Sequence, residues 1–405
     1  MEKNNRSITL VIRLSSLGDV AILIPILYSV ASKNPDDTFL LVTKKPLQPL
    51  FFNKPDNLKI FPMQTKGRHK GFWGLIRAIR DVNTIINQLK NKHRENEKSK
   101  TKLKVADLHA VIRSAIVDFF FKLKGAKVVV IDKERLAKKA LVRKKNKQFL
   151  PLKTSLRRYQ EVFEKLGYDI PHPRPLSTWR GEKTPLGVAS RYVDLKASVY
   201  ACDKMKTRQE PCHRSDVGGA YVEREVRSET WIGIAPFAKH PGKIYPFEKM
   251  EEVVRILNDR PATKIFLFGG KEESPLLEEW TKKYEHVESV AGLMPFPDEL
   301  SLMNRLDVML SMDSANMHLA SLVNTPVISV WGATHPYAGF YGYNQKPENA
   351  VQIDLECRPC SIFGDKPCWR GDYACLNRIN PQAIVEKITS LLSSLPQTTS
   401  ETPQL

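Results

Sequence analysis

The feature that most constrains this chain is the recurrence of short, nearly unbroken apolar runs separated by helical segments. Residues 7–14 read Ser-Ile-Thr-Leu-Val-Ile-Arg-Leu, which is too apolar to alternate faces. Such a run suits a strand buried on both sides of a parallel sheet. A turn over residues 15–19 follows, and helical spacing then runs to about Ala31. Residues 38–42 form a second buried strand, and 72–90 have helical periodicity through Trp73, Ile76, Ile79, Val82, Ile86 and Leu89. Strands at 103–108 and 126–131 flank an apolar helix at 114–124. Strand alternating with helix predicts βαβ units and a doubly wound sheet.

The pattern restarts at Trp231. Strands at 231–235, 264–268, 307–311 and 326–331 alternate with helices at 247–258, 274–284 and 315–323. The predicted fold class is therefore α/β, with two Rossmann-like doubly wound domains facing a central cleft. The first domain spans 1–181 and the second 230–395. Residues 182–229 are polar and weakly periodic, contain Cys202, Cys212 and the Gly218-Gly219 pair, and read as a linker with an insertion. Residues 396–405 have the composition of a disordered tail. A chain of 405 residues with 42% apolar content has enough material for two cores.

Charge is unevenly placed. The chain carries a formal net charge of +19. Residues 65–104 hold 12 Lys/Arg against 3 Asp/Glu, and residues 133–158 hold 11 against 1. These two stretches match the whole excess, and both lie in the N-terminal half. Such a field attracts polyanions: nucleic acid, anionic lipid headgroups or an acidic substrate. A solvated lysine-rich surface is the plainer alternative. No apolar run is long enough to span a bilayer. The best candidate, Val20–Val30, is short and contains Pro25, and no secretory pattern precedes it, so a cytoplasmic protein is expected.

Three strand-to-helix junctions carry the chemistry. The first is Arg13-Leu-Ser15-Ser16-Leu-Gly18-Asp19. Gly18 lets the backbone come close to a ligand, and Ser15, Ser16 and the first helical amides can donate to an anion. Asp19 is either a helix cap or a carboxylate at the mouth of a cleft. The absence of Gly-x-Gly-x-x-Gly argues against a dinucleotide dehydrogenase. The second junction, residues 235–246, places Lys239 and Lys243 in a loop with Gly242, which suits either a diphosphate clamp or an exposed loop with incidental lysines. In the third, Asp313 and Ser314 open a helix containing Ala315, Asn316 and His318. Its positive end suits a pyrophosphate, although caps and a structural histidine would explain the same residues.

Taken together, these loops resemble glycosyltransferase family 9, the lipopolysaccharide heptosyltransferases. The match runs through Arg-Leu-Ser-Ser-Leu-Gly-Asp at 13–19, Asp107-Leu-His109 with Arg113-Ser114, Lys243-x-Tyr245-Pro246, Asp313-Ser-x-x-Met-His-Leu-Ala320, Thr325-Pro-Val327 and Trp331-Gly-Ala-Thr334. It covers nearly everything except the insertion and the tail. The resemblance implies a glycosyltransferase type B fold with an interdomain active site and an inverting, metal-independent reaction. It implies an ADP-heptose donor and an anionic lipopolysaccharide-core acceptor reached by peripheral contact at the inner-membrane surface. It also implies that Asp19 is the general base. Lys239, Lys243, Asp313, Ser314, Ala315, Asn316 and His318 would hold the donor, and Ser15, Gly18, His109 and Arg113 the acceptor. No cofactor is required. The chain departs from the family at Ala315-Asn316, where Gly-Pro is common, and at Tyr245, where Trp is common. These departures bear on donor identity, and a same-fold transferase using another nucleotide sugar for another surface glycan is the alternative.

Two further readings complete the survey. Cys357, Cys360, Cys368 and Cys375 have spacing compatible with a structural tetrahedral zinc, or with thiols or disulfides bracing a loop. A non-enzymatic protein binding nucleic acid or anionic membranes would use the charge but leave the three loops unexplained. The basic runs also lack the interleaved aromatics that single-strand binding favours.

Overall fold

The computed structural model of the protein describes residues 6–96, 101–171, 173, 176 and 229–395. The expected insertion at 182–229, with Cys202 and Cys212, lies outside the described residues except for Glu229. The expected tail at 396–405 lies wholly outside them.

The N-terminal half builds β1 (Ser7–Ile12), α1 (Leu17–Lys33), β2 (Thr38–Lys44), β3 (Leu58–Met63), α2 (Gly71–Asn96), β4 (Lys102–Asp107), α3 (Ile112–Leu123), β5 (Lys127–Val130), α4 (Arg135–Leu141) and α5 (Ser155–Lys165). Its strands pair in parallel in the order β3-β2-β1-β4-β5. The C-terminal half builds β6 (Thr230–Ala235), α6 (Phe247–Asn258), β7 (Thr263–Leu267), α7 (Ser274–Lys283), β8 (Val287–Ser289) and α8 (Phe296–Arg305). It continues with β9 (Val308–Met312), α9 (Ala315–Leu322), β10 (Val327–Val330), β11 (Ala350–Val351), α10 (Ala374–Asn377) and α11 (Pro381–Ser394). The second sheet is also parallel, in the order β11-β10-β9-β6-β7-β8.

Both orders reverse direction once, between β1 and β4 in the first sheet and between β6 and β9 in the second. In open parallel sheets the crevice for a ligand opens at the carboxyl ends of the strands at such a reversal. The Ser15–Asp19 and His109 loops follow β1 and β4, and the Lys243 and Asp313 loops follow β6 and β9.

The halves share a core through α1. This helix is apolar all round and buried from Val20 to Ala31, as expected of a helix covered on every side. It packs with Phe39 and Leu41 of β2 and with Met317, Leu319 and Ala320 of α9 in one continuous apolar cluster. A buried side chain of this size contributes about 1.5–3 kcal/mol relative to exposure. A second seam lies beside it. Phe149 stacks near His335 and Tyr337, with centroids 4.9 and 4.8 Å away. The Leu152 and Ser155 amides donate to the carbonyls of Tyr337 and Gly339 at 2.9 and 2.8 Å. Gly339 has φ +80°, and any β-carbon there would strike the Lys153 carbonyl, so this seam requires glycine.

Candidate functional site

The Asp19 loop is built by its own hydrogen bonds. Ser16 occupies the N-cap of α1 and Asp19 the third helical position, so Asp19 is not the cap itself. Asp19 Oδ2 accepts from the Ser16 amide at 2.9 Å and the Ser16 hydroxyl at 2.8 Å, the back-reaching half of a capping box. The same oxygen is paired with Arg13 Nη2. Oδ1 takes none of these bonds, and the side chain is 23% exposed. Burial works to raise the pKa of Asp19, but the charge of Arg13 and the bonds from Ser16 outweigh it and hold the carboxyl below its ordinary value.

Arg13 is itself fixed from three sides. It donates to the Leu108 carbonyl, its guanidinium lies 5.7 Å from the Tyr159 ring centroid, and it grips Asp19. The loop presenting Leu108 is tied down by the buried Asp107 carboxylate. Asp107 accepts from the amides of His109 and Ala110 at 2.7 and 2.9 Å and from the Ser114 hydroxyl at 2.7 Å. Tyr159 of α5 donates to the Asp19 carbonyl at 3.3 Å. His109 is half-buried. Burial and the charges of Arg13 and Lys133 push its pKa down to about 4, against the pull of Asp107 and Asp19. Lys138 is pushed down to about 8, mainly by burial and by Arg158.

Across the cleft, Lys243 Nζ lies 2.8 Å from Asp313 Oδ2, an ion pair off the hydrogen-bonding direction. Asp313 is 3% exposed. Ser314 is the N-cap of α9, and Ser314, Ala315 and Asn316 are half-buried at its positive end. Gly242 packs against Ala333 and Gly364, which leaves no room for a β-carbon and presses the Lys243 loop onto residues 333–364. Lys239 is exposed in the same loop. Tyr245 turns away from the cleft: it is buried and its hydroxyl donates to the Ile379 carbonyl at 2.8 Å. The departure at this position therefore falls in the core.

His318 joins the two sides. A β-carbon on Gly18 would collide with its ring, so α1 and α9 touch at this point. Burial pushes the His318 pKa down to about 4, opposed by Asp313 and Asp19 and aided by Lys243. The histidine thus feels the charges of both loops and is neutral at physiological pH. The structure brings together Asp19, Gly18, His318, Lys243 and Asp313, with His109 beside Arg13. Arg113 lies farther along, lining an apolar pocket with Leu14, Val42 and Leu75. Ser15 is half-buried within the Asp19 turn.

Sequence reasoning quoted Arg13 without giving it a task and missed Tyr159 and Arg158. Tyr159 and Arg158 lay in plain view: the apolar spacing of Leu156, Tyr159, Val162 and Phe163 marks α5, which begins at the end of the basic stretch. The basic stretch is also partly structural. Arg158 is buried and paired with Glu134 at 3.2 Å.

The zinc alternative for the four cysteines finds no support. The four cysteines are free, and among the described residues no group of three or more His, Cys, Asp or Glu is placed to hold a metal ion. Cys375 packs in the apolar core with Leu376 and Ile379, whereas Cys357 and Cys360 line a surface pocket. Burial, with the neighbouring Cys357 and Cys368, raises the Cys360 thiol, and burial pushes Cys375 up to about 11, with Cys360, Cys357 and Cys368 adding to it against Arg358, so the four thiols lie near one another.

Two parallel α/β units meeting at their switch points define the glycosyltransferase type B architecture. The chain belongs to glycosyltransferase family 9 (heptosyltransferase), which it matches over residues 104–366. Lipopolysaccharide heptosyltransferase 3 of Escherichia coli is 29% identical over 154 residues, covering 37% of this chain. The matched part spans only 42% of that relative's length. Among solved structures, a family 9 glycosyl transferase from Veillonella parvula DSM 2008 superposes with TM-score 0.66 at 18% identity, covering 98% of this chain and 99% of the other. E. coli ADP-heptose lps heptosyltransferase II superposes with TM-score 0.56 at 18% identity, covering 95% and 98%. E. coli heptosyltransferase WaaC, solved with ADP, gives 0.55 at 18%, covering 95% and 99%. Among the described residues no helix is long and apolar enough to cross a membrane.

Proposed function

We propose that this protein transfers a heptose from ADP-heptose to an anionic lipopolysaccharide-core acceptor, with inversion and without a metal. One observation carries the reading: His318 of α9 packs against Gly18, next to Asp19, and feels the charges of Asp19, Asp313 and Lys243 together, which brings the base candidate, with Oδ1 uncommitted, and the Lys243–Asp313 pair to one place. The ADP and ADP-heptose named for the superposed heptosyltransferases supply the donor class.

In this reading the acceptor hydroxyl binds at Asp19 Oδ1 and its oxygen attacks the anomeric carbon. The proton passes to Asp19 as the new C–O bond forms, and the bond to the diphosphate breaks on the opposite face, which inverts the centre. The departing ADP gathers negative charge against Lys243 and the amides at the start of α9, and these preorganised groups stabilise it. Asp313 holds the Lys243 ammonium in place. Ser314, Ala315, Asn316 and exposed Lys239 complete the donor side. Arg13 orients the base through Oδ2, and Ser15, Gly18, His109 and Arg113 border the acceptor.

Residues 1–181 then form the acceptor-binding domain, 182–229 the connection and 230–395 the donor-binding domain. The acceptor domain would meet the cytoplasmic face of the inner membrane. Phe72 and Trp73 (74% exposed), Ile112 (85%) and Leu136 (81%) open the helices that follow β3, β4 and β5, beyond the carboxyl ends of those strands and among the basic residues. A thermal-shift panel of ADP-, UDP- and GDP-sugars, followed by transfer to a Kdo-containing acceptor, tests the reading. ADP-heptose should give the largest shift and a product. A larger shift with another nucleotide sugar would reassign the donor.

A further inference from the structure

A second pocket of about 330 Å³ opens between the halves, in the size range of small-ligand sites. One wall is the segment after α4, with Arg143, Lys144 and Lys147. The other is the segment before α10, with Lys366, Trp369 and Arg370. Glu356 is the one acidic residue in its lining. Not all of this charge is free. Lys147 donates to the carbonyls of Glu356 and Arg358 at 3.0 and 2.8 Å, and Arg370 is paired with Asp372 at 3.1 Å. Arg143, Lys144 and Lys366 remain exposed, and Lys144 Nζ sits 5.0 Å from the centroid of the Trp369 ring. Trp369 is 53% exposed, so its ring stands at the pocket surface beside these cations.

The pocket adjoins the cleft. The Cys360 amide donates to the Ala333 carbonyl at 3.0 Å, the Ala333 amide to Gly242 at 2.8 Å, and the Gly242 amide to Gly364 at 3.1 Å. Gly364 in turn lies against the Lys243 side chain. The Trp369 wall is thus stitched to the loop that carries Lys243.

We infer that this pocket is a subsite for an acidic saccharide, one phosphorylated sugar of the acceptor, beside the sugar that receives the transfer. A single aromatic face with cations at its rim matches a sugar ring bearing an anionic group. It offers too few stacking surfaces for a nucleic-acid strand. The identity of the saccharide rests on the transferase reading; the site rests on the pocket.

The test is calorimetric titration of the full chain with four probes: a deacylated phosphorylated core oligosaccharide, its dephosphorylated form, inorganic phosphate and ADP. The wild type should bind the phosphorylated oligosaccharide at least about tenfold more tightly than the dephosphorylated form or phosphate alone. Arg143→Ala with Lys144→Ala, and separately Trp369→Ala, should each weaken that binding about tenfold and leave ADP binding unchanged. Unaltered oligosaccharide affinity in the variants, equal affinity for the dephosphorylated form or for free phosphate, or loss of ADP binding instead would each overturn the subsite. If oligosaccharide binding follows these residues but no heptose is ever transferred, the transferase reading fails and the subsite stands.

Discussion

The two cleft loops each hold a carboxylate against a cation, yet the pairs are built for opposite ends. At Asp19 one oxygen takes the bonds from Ser16 and Arg13 and the other stays open, in a side chain that reaches solvent. At Asp313 the carboxylate is almost wholly buried and the cation is the partner that faces outward, Lys243 being 14% exposed. The first pair presents a base and restrains it; the second presents a cation and anchors it. Burial thus decides which member of an ion pair is available for chemistry. Breaking each pair from either side separates the roles.

The largest effect is expected at Lys243. Lys243→Met leaves the Asp313 carboxylate buried and unpaired, which costs about 3–5 kcal/mol of stability. It also removes the cation from the diphosphate, so ADP affinity should fall sharply. Chemical denaturation and ADP titration measure the two consequences. Stability and ADP affinity both equal to wild type would show that the pair holds neither the loop nor the donor.

Gly18→Ala comes next. Its β-carbon meets the His318 ring, and overpacking of this kind costs about 1–3 kcal/mol. The damage should appear as lost transfer as well as a lower melting temperature, because α1 carries Asp19. A variant that melts lower but transfers normally would mean that the contact of α1 with α9 does not position the base.

His318 gives a pH signature. Its pKa is about 4 in the folded protein and about 6.5 when unfolded, so between these values the unfolded chain binds the extra proton. Stability should therefore be full above about pH 6.5 and fall as the pH drops toward 4. His318→Gln should flatten that slope by up to about 1.4 kcal/mol per pH unit. Denaturation midpoints at pH 7 and 5 compare the two proteins, and an unchanged slope would mean that the ring is already protonated or open to solvent.

Tyr159→Phe should do least. It deletes one hydrogen bond to the Asp19 carbonyl and keeps the ring beside Arg13, for about 0.5–1.5 kcal/mol. A loss of transfer beyond tenfold would make the hydroxyl part of the chemistry.

How much of this was legible in the sequence follows the same division between local and long-range. The inner strands β1, β2, β6 and β9 announce themselves because burial on both faces demands unbroken apolar runs. The edge strand β3 does not: Lys59 and Pro62 interrupt it, and its residues alternate between buried and half-exposed. Helix α5 begins at the end of a stretch weighed by charge, which drew attention from its apolar spacing. Asp19 could be picked out from its place at a strand end. The grip of Arg13 on it depends on Leu108 and Tyr159, and the pairing of Lys243 with Asp313 spans 70 positions; neither contact leaves a local pattern.

The most direct measurement is the rate of heptose transfer by Asp19→Asn, taken together with its affinity for ADP. The substitution keeps the shape and the hydrogen bonds of Oδ2 but removes the acceptor of the proton. The account predicts transfer reduced about 10²–10⁴-fold with ADP affinity unchanged. Transfer near the wild-type rate would contradict it.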